Sequence, residues 1–120
     1  MIKHIINGQQ VDSSKTFQTI NPATGEVIAE VASGGEAEIN AAVAAAKAAF
    51  PGWAATPVKE RARLVRKLGD LIAANVAEIA DLETADCGQV TNQTKRVLIP
   101  RASDNFYYFA ELIQDRKSVV

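Results

Sequence analysis

The stretch Asn21–Phe50, NPATGEVIAEVASGGEAEINAAVAAAKAAF, decides the fold, because its hydrophobic period changes part-way along. Up to Ala32 it is strand-like: Val27, Ala29 and Val31 alternate with Glu26, Ile28 and Glu30, as in a half-buried or edge strand. The preceding Asn21–Glu26 reads as a turn, with Pro22 presetting φ and Gly25 free to take a positive one. After Gly35 the spacing becomes helical, and Ile39, Val43, Ala46 and Phe50 fall on one stripe. Ser33 followed three residues on by Glu36 predicts a capping box at the switch, and Pro51-Gly52 predicts the end of the helix.

Working outward, the first 20 residues continue the strand style. KHIING closes on Asn7-Gly8, a strong hairpin dipeptide, with QQV as the returning strand and TFQTI as the partner of the 26–32 strand. The remainder continues the helical style. Thr56-Pro57 predicts an N-cap with proline at the first helical position. The helix that follows places Leu64, Leu68, Leu71 and Ile72 inward, and Val76, Ile79 and Leu82 extend the period to a C-cap at Gly88. A last helix is predicted over about 91–114, kinked or broken at Pro100, with Phe106, Phe109, Ala110 and Ile113 as its apolar face. Strands over 2–32 followed by about four helices over 33–114, without βαβ alternation, make the chain by itself α+β. Its strands are too few and short for a full sheet layer, so a packing layer is expected from elsewhere.

Composition excludes several classes. Thirteen basic residues against fourteen acidic ones, with a net charge of −1, give no basic patch for nucleic acid or an anionic membrane. No run approaches the roughly 20 apolar residues of a membrane span, and MIKHIINGQQ lacks the apolar core of a signal peptide. A single cysteine, Cys87, excludes an internal disulfide framework and fits a cytoplasmic location.

Few residues carry chemistry. His4 is the sole histidine and has no triad or metal-spaced partner nearby, so strand packing is its expected role. Cys87, at a helix end, reads as a small packed or half-exposed side chain rather than a nucleophile. The sequon Asn92-Gln93-Thr94 has no secretion context. The glycines are too scattered for a phosphate-cradling loop. Phe106–Phe109 would line an apolar ligand channel or, on the simpler reading, pack against a neighbouring element. Arg101 beside Pro100 is a solvated helix charge, with steering of an acidic substrate as the alternative.

One combination is more specific. TINPATGEVIAEVASGGEAEINAAVAAAKAAFPGWAATPVKERARLVRKLGDLI, followed by LETADCGQ, resembles the amino-terminal segment of the aldehyde dehydrogenase superfamily. The ordered marks are the NPATGE turn, the alanine-rich helix with AAF before tryptophan, the arginine–leucine helix and the ET-x-D-x-G close. The likeness covers about residues 3–114, and QTKRVLIPRASDNFYYFAE looks most like the 5-carboxymethyl-2-hydroxymuconate semialdehyde branch, with betaine-type enzymes next.

The resemblance implies an α/β enzyme with a Rossmann-type cofactor domain, of which residues 1–114 are the amino-terminal part. It implies an NAD(P)-dependent oxidation of an aldehyde substrate to a carboxylic acid by a homo-oligomer. The implied chemistry is thiolate attack on the aldehyde, hydride transfer to NAD or NADP, and hydrolysis of the thioester. The family's nucleophilic cysteine, glutamate base and cofactor-binding strands have no counterpart in these residues, and Cys87 does not match the nucleophile's setting. The chain alone is therefore expected to be inactive and to bind no NAD(P). Relatives hold a structural K+ or Na+ with two carbonyls after the second strand and an aspartate near the end of the third helix. Those positions match Thr19, Ile20 and Asp86. The alternative for Asp86 is a turn residue beside Gly88. Residues 115–120, DRKSVV, depart from the family and fit the codons GAT-CGG-AAG-AGC-GTC-GTG of a common sequencing adapter, so they are expected to be translated adapter. The competing reading of the whole chain is a short non-catalytic interaction protein.

Overall fold

The computed structural model describes residues 1–115, in two units: Met1–Ala55, and a second beginning at Thr56. The expectation for residues 115–120 therefore lies, from 116 onward, outside the described residues.

In the first unit, β1 (His4–Ile6) and β2 (Gln9–Val11) pair antiparallel, His4 opposite Val11. Asn7 and Gly8 both take positive φ, 53° and 74°, the combination that a two-residue hairpin requires. β3 (Thr16–Ile20) and β4 (Val27–Ala32) pair antiparallel, Thr16 opposite Ala32. The NPATGE turn is built by Asn21, whose Oδ1 accepts from the Ala23 N–H at 2.9 Å while its carbonyl accepts from the Gly25 N–H at 2.8 Å. The Ile2 N–H donates to the Glu30 carbonyl and the Ala32 N–H to the Ile2 carbonyl, so a short parallel bridge ties the amino-terminus to β4.

The predicted capping box is displaced by two residues. Ser33 is already engaged: its N–H donates to the Lys15 carbonyl and its carbonyl accepts from Ser13 Oγ. α1 (Glu36–Ala55) starts instead behind Gly35, whose carbonyl accepts from the Ile39 N–H and whose N–H donates to Glu38 Oε2 at 2.7 Å. Glu38 thus stands third in the helix and performs the carboxylate half of a capping box. The Gly35 amide holds its carboxyl below the ordinary value, assisted by the charges of His4 and Lys15. α1 also runs through Pro51 rather than stopping there. A proline ring already has a helical φ, and the cost is the N–H that would have met the Lys47 carbonyl.

In the second unit the first helix begins one residue later than predicted. Pro57 has ψ 141° and is itself the cap of α2 (Val58–Ala74), its carbonyl accepting from the Glu60 and Arg61 N–H groups. Asn75 separates α2 from α3 (Val76–Cys87), its Nδ2 donating to the Leu71 carbonyl at 2.7 Å. Gly88 caps α3 with φ 71°, as the sequence predicts. Pro100 does not break the last helix. The three-residue α4 (Thr91–Gln93), a π-helical turn Thr94–Leu98 and α5 (Ile99–Asp115) follow without interruption. A π turn widens the helix by one residue just before the proline, where an ordinary turn would have to lose a bond and absorb the ring.

α2 and α5 pack mainly through small residues, not through the expected leucines. Ala62 and Gly69 of α2 and Ile99, Ser103 and Ala110 of α5 are buried, whereas Leu64, Leu68 and Leu71 are 39, 43 and 53% exposed. The stripes predicted for α1 (Ile39, Val43, Phe50) and the Phe109 edge of α5 are exposed too. Apolar periodicity marks every face a helix will ever bury, and the face closed here is the one where backbones can approach. At Gly69 the helices nearly touch: an added Cβ would lie 2.6 Å from Tyr107 Cε1. Ser103 Oγ donates to the Gly69 carbonyl at 2.8 Å in the same contact.

Gly69→Ala is expected to lower the unfolding free energy by about 1–3 kcal/mol, because the ring cannot yield without separating α2 from α5. Gly52→Ala, whose Cβ would meet nothing within 4 Å, serves as the control. Equal urea midpoints for the two variants would refute the close contact.

Candidate functional site

The matched cation positions begin on β3. Thr19 pairs with Ala29 and Ile20 with Val27, and the register slips between them. On a regular strand successive carbonyls point to opposite edges, so two adjacent carbonyls serve one ion only where that alternation is disturbed. The slip puts the extra residue, Ile28, on β4, and Ile20 is the last residue of β3. β3 is paired on one side only, with β4. Asp86 is an exposed carboxylate in the last turn of α3, just before the Gly88 cap. Thr19 and Ile20 belong to the first unit and Asp86 to the second. Carbonyl and carboxylate oxygens are the donors a hard cation takes. Among the described residues no three His, Cys, Asp or Glu side chains gather as a metal cluster.

Cys87 closes α3 and is exposed. Its thiol is pushed up, first by the Glu83 charge, then by partial desolvation and by Asp86, whose Oδ2 lies 3.9 Å from Sγ. A nucleophilic thiol needs the opposite surroundings, a cation or an exposed helix N-terminus. His4 packs its ring against Gly34, where a Cβ would sit 3.2 Å from Cε1, and its Nε2 is buried without a hydrogen-bond partner among the described residues. That is the strand-packing role expected from the sequence.

The aromatic run divides its work. The Tyr107 ring lies over Gly69, its hydroxyl donates to Asp70 Oδ1 at 2.8 Å, and the Arg66 guanidinium stands 5.1 Å from its centroid. Tyr108 and Phe109 meet edge to face at 5.3 Å. Ala102, Asn105, Phe106 and Phe109 line an open, mainly apolar hollow on α5. Arg101 is exposed on the first turn of α5. The sequon is void of accessible hydroxyl, since Thr94 is 0% exposed.

Sequence reasoning missed the buried polar groups. Thr94 Oγ1 donates to the Thr91 carbonyl at 2.9 Å and lies 3.0 Å from Thr84 Oγ1, pinning the π turn to α3. Arg61 Nε is buried with no partner among the described residues. A threonine or arginine interrupting an apolar face was the available signal.

Comparison with known proteins places the chain. A sequence model described as the aldehyde dehydrogenase family matches residues 9–120. The chain belongs to the aldehyde dehydrogenase family. It is 66% identical over 113 residues to the 5-carboxymethyl-2-hydroxymuconate semialdehyde dehydrogenase of Escherichia coli, covering 94% of this chain and 24% of that protein. It is 42% identical to the 2-hydroxymuconic semialdehyde dehydrogenase of Pseudomonas sp. (strain CF600), covering 95% of this chain and 24% of the relative. Among solved structures, an aldehyde dehydrogenase from Bacillus cereus in complex with NAD+ superposes with a TM-score of 0.92 at 39% identity, covering 97% of this chain and 24% of that one. The chain therefore spans about a quarter of the length of the aldehyde dehydrogenases it matches. Its hairpins and helices are an α+β segment of that fold. No helix among the described residues is long and apolar enough to cross a membrane.

Within this family segment Cys87 is expected to behave as an inert thiol. Because Glu83 raises its pKa, thiolate at neutral pH is scarce, and Glu83→Gln should speed alkylation by iodoacetamide and shift its pH profile to lower pH. An unchanged profile would remove the electrostatic account.

Proposed function

We propose that this chain is the amino-terminal part of an NAD(P)-dependent aldehyde dehydrogenase that oxidises a semialdehyde of aromatic catabolism to a carboxylic acid, in the cytoplasm and as a homo-oligomer. The observation that carries this is the 66% identity, across 94% of the chain, to a relative named for such a substrate. The NAD+ complex of the Bacillus cereus relative supports the cofactor class. In this reading the segment contributes scaffold: β3, β4 and α1–α5 support the cofactor domain, while nucleophile, base and nicotinamide contacts come from later residues. The 120 residues alone are inactive.

The test starts at the source locus, by reading the frame past Gln114. A continuous frame encoding a cysteine nucleophile is expected. The full-length product should then reduce NAD or NADP with 5-carboxymethyl-2-hydroxymuconate semialdehyde at a kcat/KM at least about tenfold above that for betaine aldehyde, on the order of one or two lost contacts. A genomic stop directly after the codons for DRKSVV, with a soluble monomeric product, would favour the short interaction protein instead. Replacing Arg101 with alanine in the full-length enzyme, with KM for the acidic semialdehyde unchanged, leaves Arg101 a solvated charge.

We further propose that the Thr19 and Ile20 carbonyls and the Asp86 carboxylate supply oxygens to a structural K+ or Na+ in that enzyme. The support is the match of these positions to the family's cation ligands and the hard-donor chemistry of all three groups. Such an ion would neutralise the carboxylate and hold the strand end. The full-length enzyme should melt at a higher temperature in K+ than in a bulky organic cation at equal ionic strength, and Asp86→Asn should abolish the difference. Equal melting of the parent enzyme in both salts would sink the assignment.

A further inference from the structure

The turn between β1 and β2 carries a chemistry of its own. Asn7 is followed by glycine, whereas Asn21, Asn40, Asn75, Asn92 and Asn105 precede proline, alanine, valine, glutamine and phenylalanine. An asparagine amide is open to attack by the next backbone nitrogen where no side chain shields that nitrogen, and glycine has none. Asn7 and Gly8 are both exposed, and a Cβ added at Gly8 would meet nothing within 4 Å. The reaction needs only water. The Gly8 nitrogen bonds to Asn7 Cγ, the Cγ–Nδ2 bond breaks, and the side-chain nitrogen leaves as ammonia with the proton from Gly8. Water then opens the resulting succinimide at either carbonyl, giving aspartate or isoaspartate at position 7.

The fold decides when this can happen. Asn7 and Gly8 have φ 53° and 74°, the two positive values of a type I′ turn. The first central residue of such a turn has ψ of about +30°. At that ψ the Gly8 nitrogen stands nearly opposite Cβ across the Cα–C bond, so Cγ cannot close on it. Ring closure needs the nitrogen swung round to the Cβ side. The pairing of Ile6 with Gln9 directly below the turn forbids that rotation. The reactants are neighbours in sequence but are held out of attack geometry. The lock is a light one. β1 and β2 have three residues each, and a hairpin of that size is marginal by itself. The Lys3–Asp12 ion pair beside it, at 3.0 Å, is exposed and adds little.

We propose that Asn7 is a conformationally gated deamidation site. The closed turn protects it, and local opening of the β1–β2 hairpin releases it to react. The two products differ in consequence. Aspartate tolerates a left-handed φ, so the turn can re-form around it. Isoaspartate carries the main chain through its β-carbon and adds an atom to a two-residue loop, which the register of His4 opposite Val11 does not accommodate. The His4 ring, packed against Gly34, is then released together with β1. Each molecule thus keeps a permanent record of having opened.

The experiment uses the whole protein encoded at the source locus, whatever its length, so its outcome does not depend on the dehydrogenase reading. The protein is aged at mildly alkaline pH, folded in buffer and unfolded in guanidinium chloride. Peptide mapping follows the amide-to-acid mass gain at each asparagine, and enzymatic carboxyl methylation identifies isoaspartate. Conversion at Asn7 should be slower by about tenfold or more in the folded protein. In the unfolded protein it should outpace conversion at Asn40 and Asn92. Val11→Gly, which weakens the pairing opposite His4, should quicken the folded-state reaction and leave the unfolded rate unchanged. Equal folded and unfolded rates, or a folded Val11→Gly rate equal to the parent's, would overturn the gate. Unfolded conversion at Asn7 no faster than at Asn40 or Asn92 would overturn the site itself.

Discussion

The contact between Gly69 and the Tyr107 ring is the constraint on which the helical unit depends. With no Cβ at position 69, α5 lies directly on the α2 backbone, and Ser103 reaches the Gly69 carbonyl. Only at that separation can the Tyr107 hydroxyl reach Asp70 and its ring lie under Arg66. The partners around this contact are weak individually. An exposed pair such as Arg66–Glu111, at 3.2 Å, contributes about 0–1 kcal/mol, and the cation over the tyrosine face adds about 0.5–1 kcal/mol. They orient the contact and do not create it. The glycine makes the approach possible, and the buried Ser103 bond makes it tolerable for the backbone.

The second fixed point is Thr94. A fully buried hydroxyl must be satisfied, and Thr94 meets the demand locally through the Thr91 carbonyl and across to Thr84. This holds the π turn that precedes Pro100. The helix therefore passes the proline with its direction set, and α5 arrives over Gly69 with Ser103 and Tyr107 in position. Two short-range features, a proline and a threonine, thus decide a contact made by residues further along.

This history explains what could and could not be read from the sequence. Both hairpins were legible because Asn7-Gly8 and Asn21–Gly25 encode their turns in the residues that form them. Gly88 was legible for the same reason. The first cap was misplaced because the backbone of the nominated residue had another use. Ser33 spends its N–H and carbonyl on Lys15 and Ser13, which no local pattern announces. The leucines of α2 were assigned inward because periodicity reports that a face is apolar, not which face closes first. At the candidate cation site, the donor identities came from resemblance alone, since a carbonyl leaves no mark on the residue type. The register slip at Thr19/Ile20 is visible only in the paired strands.

The exposed faces then follow from the same logic and not from a poorly designed surface. A segment that buried only what its own 120 residues can cover would concentrate leucine and phenylalanine in the α2–α5 contact. Instead that contact uses mainly alanine, glycine and serine beside the Tyr107 ring, and many of the large apolar side chains stand elsewhere: Leu64, Leu68 and Leu71 on α2, Ile39 and Phe50 on α1, Phe109 on α5. Small residues permit close approach but bury little area, and area is what stabilises at about 25 cal/mol per Å². The greater part of the segment's hydrophobic driving force is therefore invested in faces that the chain does not close by itself. A sequence so distributed is that of a layer within a larger fold, and the family to which it belongs, matched over about a quarter of its members' length, supplies one.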